Sequence, residues 1–117
     1  MTDFSLKFLK LAVAASVVFL LSSGLIMAAE CRTEFERVNR SGGNAAEKIN
    51  LLKRLIGICP EYGPALIGLA RWHEKNGNLK SAKAFYKRAI AAGNAGAAPY
   101  AELGDVLYKI GDKRGAA

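Results

Sequence analysis

Residues in the second half of this chain recur at a fixed step of 34. Leu66, Leu69, Ala70, His73, Gly77 and Ala82 each stand 34 positions before Tyr100, Leu103, Gly104, Leu107, Gly111 and Ala116. In the other direction the same step joins Gly77 to Gly43, Tyr86 to Leu52 and Ile90 to Ile56. A period of this size means stacked helix pairs, each too small to bury its apolar face alone. The step predicts an all-α chain. It names no ligand, because stacks of this kind bind many unrelated things.

The first 29 residues have a different composition. Met1 to Lys10 carries Lys7, Lys10 and one acid, Asp3, and Leu11 to Ala29 carries no charge. A short basic start, an apolar run and small residues together read as an export signal. Cleavage after Ala29 or after Gly24 is expected. The uncharged run also approaches the ~20 residues needed to span a bilayer, so an uncleaved anchor is the alternative. Cys31 follows Glu30, where a lipid-modified cysteine needs a small neighbour. Two domains are expected on this reading: residues 1–29 as signal or anchor, and residues 30–117 as the helical domain.

Removing Lys7, Lys10 and Asp3 leaves 15 Lys plus Arg against 9 Asp plus Glu, a net charge of +6. Such a balance attracts an anionic partner or simply solvates the surface. The cations are scattered and match no nucleic-acid-binding motif, so no nucleic acid is expected. Membrane contact is expected only through residues 11–29, and only if they are retained.

The two cysteines, Cys31 and Cys59, would oxidise freely in an exported chain. If one helix spans 31–41 and the next 45–58, antiparallel, both cysteines lie at the open end of one hairpin. A disulfide there closes a loop of about 29 residues, worth roughly 3 kcal/mol in the chain-entropy account. The rival readings are two buried thiols or a metal site. His73 is the single histidine, and no ligand cluster accompanies it, so no metal or other cofactor is expected.

The helices can be placed from their punctuation. Ser41-Gly42-Gly43-Asn44 is a turn whose Asn caps the helix Ala45 to Ile58, and Cys59-Pro60 ends it. Pro64 suits a helix start, and Ala65 to Lys75 sets Leu66, Leu69, Ala70 and His73 on one face. Asn76-Gly77-Asn78 breaks that helix. Leu79 to Ala91 follows with Leu79, Ala82, Phe85, Tyr86, Ala89 and Ile90, up to Ala92-Gly93-Asn94. After Pro99, Tyr100, Leu103, Leu107 and Ile110 form the stripe of a last helix that reaches Gly111. Ala70, Gly104, Ala82 and Ala116 are small where helices must approach closely.

These residues resemble the tetratricopeptide repeat. Leu66-x-x-Leu69-Ala70-x-x-His73 followed by Ala82-x-x-x-Tyr86 carries its pattern, with His73 in place of the usual tyrosine and Asn94 where proline is common. Tyr100-x-x-Leu103-Gly104-x-x-Leu107 is similar to the front half of another copy. The first copy keeps Gly43, Leu52 and Pro60 and departs at Arg32, Glu36 and Lys48. The stretch from Phe85 through Gly93-Asn94-Ala95 to Leu103-Gly104 is also similar to Sel-like repeats, a related family of slightly longer period. The resemblance implies a right-handed α-solenoid of antiparallel helix pairs, about two repeats plus a terminal helix, behind the N-terminal segment. It also implies a protein-interaction role.

In such stacks the front helix of each pair lines a concave groove. The groove-facing residues are then Arg37 and Arg40; Ile67, Arg71, Glu74 and Lys75; and Ala101, Asp105, Tyr108 and Lys109. Arg71, Lys75 and Lys109 would receive an acidic or C-terminal peptide, since guanidinium groups suit bidentate carboxylate contact. The alternative for each is a solvated helix face. The family's carboxylate clamp for chaperone tails has asparagine where Arg71 stands, which argues against that ligand. His73 is expected to fill an aromatic packing site, and Trp72 to cover the preceding helix. Phe85 and Tyr86 read as core. No nucleophile–base constellation and no isolated acid pair are visible, so no enzyme is expected.

The function expected is an exported binding or assembly module of the cell envelope with a net basic groove. The alternatives are a membrane-anchored spacer or fragment of a larger repeat protein without its own ligand, and a subunit that inhibits an envelope enzyme.

Overall fold

The computed structural model describes residues 27–116, with side chains through Asp112. The signal or anchor expected over residues 1–29 therefore lies almost wholly outside the described residues. Among those described, no helix is long and apolar enough to cross a membrane. The chain divides into two compact units, Met1–Thr33 and Glu34–Ala117. In the first, residues 27–33 are helical, and the Thr33 hydroxyl donates to the Ala29 carbonyl at 2.9 Å.

The described chain is helices and turns only. Residues 27–40 form α1, Ala45–Ile58 α2, Gly63–Lys75 α3, Leu79–Ala92 α4 and Ala98–Ala116 α5. α2 starts as its sequence requires: Asn44 Oδ1 accepts the Glu47 N–H at 2.9 Å, satisfying one orphan donor of the first turn. It stops where the Cys59 N–H reaches back to the Leu55 carbonyl and Pro60 bars further helix. α4 stops at Gly93, which takes the left-handed conformation at φ +73°. Cys31 and Cys59 are joined as a disulfide, and neither is free.

Several boundaries differ from expectation: α1 covers 27–40 rather than 31–41, and α4 ends at Ala92 rather than Ala91. α3 begins at Gly63 rather than Ala65, because Pro64 fits the first turn and the Ala65 and Leu66 N–H groups both reach the Tyr62 carbonyl. α5 passes through Gly111 and continues to Ala116. Gly77, one period earlier, ends α3 by adopting φ +79°, whereas Gly111 stays helical. A glycine permits a helix end without imposing one.

Packing is sequential: α2 lies on α3, α3 on α4, and α4 on α5. The main cluster joins Leu66, Ile67 and Ala70 of α3, Leu79, Ala82, Tyr86 and Ala89 of α4, and Val106 of α5. Ala70 and Ala82 have no exposed surface, so a larger side chain at either would force helices apart. Ile49, Leu52 and Leu55 form the buried stripe of α2. Near α1, the Phe35 ring meets Tyr62 edge to face, with centroids 5.5 Å apart.

Asn94 fastens the loop before α3 to the loop after α4. Its Oδ1 accepts the Gly63 N–H at 2.7 Å and its Nδ2 donates to the Glu61 carbonyl at 2.9 Å. The approach is tight, since a Cβ on Gly63 would fall 2.7 Å from Ala95 Cβ. Glycine at 63 is thus a steric requirement, and Asn94 ties the two loops by two hydrogen bonds. Asn94→Ala should destabilise the fold by about 1–2 kcal/mol through the unpaired Gly63 N–H and Glu61 carbonyl. Urea denaturation checks this; an unchanged midpoint would remove the clamp.

Candidate functional site

α3, α4 and α5 bring five polar side chains together. Tyr86 has no exposed surface, so its hydroxyl must find a protein partner. It has two. Its single proton faces Glu102 Oε2 at 2.7 Å and Glu74 Oε2 at 2.9 Å. Each carboxylate holds a cation in turn. Arg71 donates through both Nε and Nη2 to Glu102, the Nε bond being 2.8 Å, and Lys109 Nζ donates to Glu74 Oε1 at 2.6 Å. Two negative charges meet two positive ones, and the array is formally neutral.

The electrostatics follow the contacts. Burial, then hydrogen bonding to Glu102 and Glu74, pushes the Tyr86 phenol far up, so it stays protonated and donates. The Arg71 guanidinium holds the Glu102 carboxyl below the ordinary carboxylate range, against the opposing effect of burial. Glu102 in turn raises Arg71, and Glu74 raises Lys109.

The residues expected to face a ligand are distributed differently. Arg71 and Lys109 are engaged by carboxylates of neighbouring helices, and Glu74 accepts from both Tyr86 and Lys109. Ile67 is no groove residue: at 6% exposure it belongs to the core. Arg37 pairs with Glu34 and Arg40 with Glu36, within one turn of α1, as a solvated helix face does. Lys75, Ala101, Asp105 and Tyr108 are exposed.

Glu102 is the residue that the sequence reading did not place at the site. A signal for it exists. The Arg71–Glu102 and Glu74–Lys109 separations, 31 and 35, bracket the 34-residue step. Opposite charges offset slightly from a full period face each other on α3 and α5.

A second cluster is aromatic. The His73 ring stacks on Phe85 with centroids 5.3 Å apart and planes 12° from parallel, in the packing role expected of it. Its Nδ1 is buried without a hydrogen-bond partner. Burial first, then the charge of Lys53, keeps the imidazole below its ordinary value. Trp72 meets His73 edge to face, and Lys53 of α2 lies over its ring at 5.5 Å. Trp72 therefore covers the preceding helix. Among the described residues, no three His, Cys, Asp or Glu side chains are grouped to hold a metal ion.

No protein-family model, curated protein or solved structure matches the chain. The fold stands as an all-α, sequentially packed, solenoid-like helical stack.

Tyr86→Phe should cost about 2 kcal/mol, because it leaves two carboxylates facing an apolar ring edge. Chemical denaturation measures this; a loss near zero would mean that water replaces the hydroxyl. Arg71→Gln should act on the pH profile. A carboxyl lowered on folding adds stability above its unfolded value, and that stability is lost as pH falls through the lowered folded value. The native chain should therefore lose stability below about pH 4.5, the onset set by the ordinary carboxylate range. The variant should be less stable at pH 7 by about 1 kcal/mol or less, because Arg71 is 61% exposed, and should titrate less steeply in acid. Parallel acid-unfolding curves would refute the coupling.

Proposed function

We propose that this chain is a rigid helical-repeat spacer or scaffold, of tetratricopeptide type, held at the cell envelope by its N-terminal segment. The single observation that carries the reading is the pairing of Arg71 with Glu102 and of Lys109 with Glu74. A receptor for acidic peptides needs cations open to the ligand. Here the two best placed for it already neutralise internal carboxylates, and they tie α3 to α5 while doing so.

The tetratricopeptide assignment rests on the 34-residue register and on the sequential packing that accompanies it. Envelope location rests on the uncharged run from Leu11 to Ala29 and is supported by the disulfide, which belongs to an oxidising compartment. A peptide ligand would have to displace an existing ion pair, and the displaced carboxylate would repel its acidic groups.

Two measurements on the full chain in detergent micelles test the proposal. Titration with a fluorescent decapeptide carrying four glutamates and a free C-terminal carboxylate should show no saturable binding below millimolar concentration. Separately, Arg71→Glu should destabilise the stack, and adding Glu102→Arg should restore most of the loss. Saturable binding that disappears with Arg71→Glu/Lys75→Glu would replace the scaffold by a peptide-binding groove.

A further inference from the structure

The last helix has two apolar faces, and among the described residues only one is covered. Val106 and Pro99 are buried, and Leu103 and Ile110 pack against the core. Tyr100, Ala101, Gly104, Leu107, Tyr108 and Gly111 are all exposed, with Tyr100 at 62%, Leu107 at 44% and Tyr108 at 72%. At about 100° per residue these six span an arc of about 120°. The arc contains no charge, although an exposed helix face of a soluble protein is ordinarily polar.

The 34-residue register shows what such a face does when it has a neighbour. Tyr100, Ala101 and Gly104 correspond to Leu66, Ile67 and Ala70 of α3, which are buried. Leu107 corresponds to His73, which stacks on Phe85 of α4. The exposed face of α5 therefore continues an established helix–helix interface by one step. A Cβ on Gly104 or Gly111 would meet nothing within 4 Å, so no described neighbour calls for glycine at either place.

We propose that this face is a self-association surface, occupied by α5 of a second copy of the chain in antiparallel orientation. Charge selects the occupant. α4 exposes Lys80, Lys87 and Arg88, α2 exposes Glu47, Lys53 and Arg54, and α1 exposes Arg32, Arg37 and Arg40. Setting any of these against the arc would desolvate a charge, and the arc offers no counter-charge. Among the described helices, α5 alone offers an exposed arc without charge. The arc is also nearly symmetric about Gly104: Tyr100 and Tyr108 lie four residues to either side, Ala101 and Leu107 three. A twofold axis at Gly104 sets Leu107 against the second copy's Ala101 and Tyr108 against its Tyr100, large beside small and ring beside ring. Such an interface is isologous and closes at two copies. Three large side chains per copy cover an area at the low end for specific association, so the dimer is concentration-dependent, with a dissociation constant on the order of 100 µM.

The inference deepens the scaffold reading by naming the contact through which the scaffold assembles. The peptide titration does not involve this face, so each proposal can fail alone. The test uses the full chain with its native disulfide, in detergent micelles under mild copper–phenanthroline oxidation. Gly104→Cys should give a cross-linked dimer several-fold more abundant than Lys87→Cys does. Tyr100→Cys mixed with Tyr108→Cys should cross-link more than either alone. In sedimentation equilibrium the native chain should dimerise at high concentration, and Gly104→Arg should stay monomeric with an undiminished melting temperature. Equal cross-linking of Gly104→Cys and Lys87→Cys would overturn the surface. Self-cross-linking of Tyr100→Cys as efficient as that of the mixture would overturn the antiparallel arrangement. A dimer that persists in Gly104→Arg is held elsewhere and would also refute the proposal.

Discussion

One buried hydroxyl organises the second half of the molecule. Tyr86 has no access to water, and its proton lies between a carboxylate of α3 and a carboxylate of α5. The Glu102 charge needs compensation there, because partial burial disfavours it. Arg71 supplies that compensation and Lys109 pairs with Glu74, each reaching between α3 and α5. The apolar cluster holds α3, α4 and α5 together without direction. The polar array adds direction, since its bonds form only when the three helices stand at one setting.

The same arrangement redistributes charge over the surface. The array around Tyr86 is neutral, so the positive excess of the described chain lies largely elsewhere. α4 carries Lys80, Lys83, Lys87 and Arg88 and no acid, and α2 carries Lys48, Lys53 and Arg54 against Glu47. Arg88 also lies over the Phe85 ring, 5.4 Å from its centroid. Net charge read from composition is real, but it lies mainly on α2 and α4 rather than around the array between α3 and α5.

Helix positions were largely legible in the residues. The Asn44 cap, the Cys59-Pro60 stop and the Gly77 and Gly93 ends act through local backbone chemistry, and three helices begin or end near where those signals stand. His73 was legible as packing because the resemblance places an aromatic packing residue at its position. The site was legible only in part. Arg71, Glu74 and Lys109 were singled out as facing a ligand, while Glu102, which engages Arg71, was not. Ile67 was assigned to the groove because a face one residue off the stripe looks exposed in a lone helix; the neighbouring helix covers it. In α5 the reverse holds. Tyr100 and Leu107 lie on the packing stripe of the repeat, yet they are exposed, and Val106 is buried instead.

The sequence by itself determined where the helices lie, which residues are small enough for close approach, and that neighbouring units repeat at 34 residues. Those properties depend on short stretches of chain: propensity, capping and steric bulk act within a turn or two. The tertiary structure decided which charges neutralise each other, which apolar faces find a cover, and where the net positive charge lies. Those outcomes depend on residues about 30 positions apart meeting in space, and a period marks where a neighbour would sit without saying whether it is there.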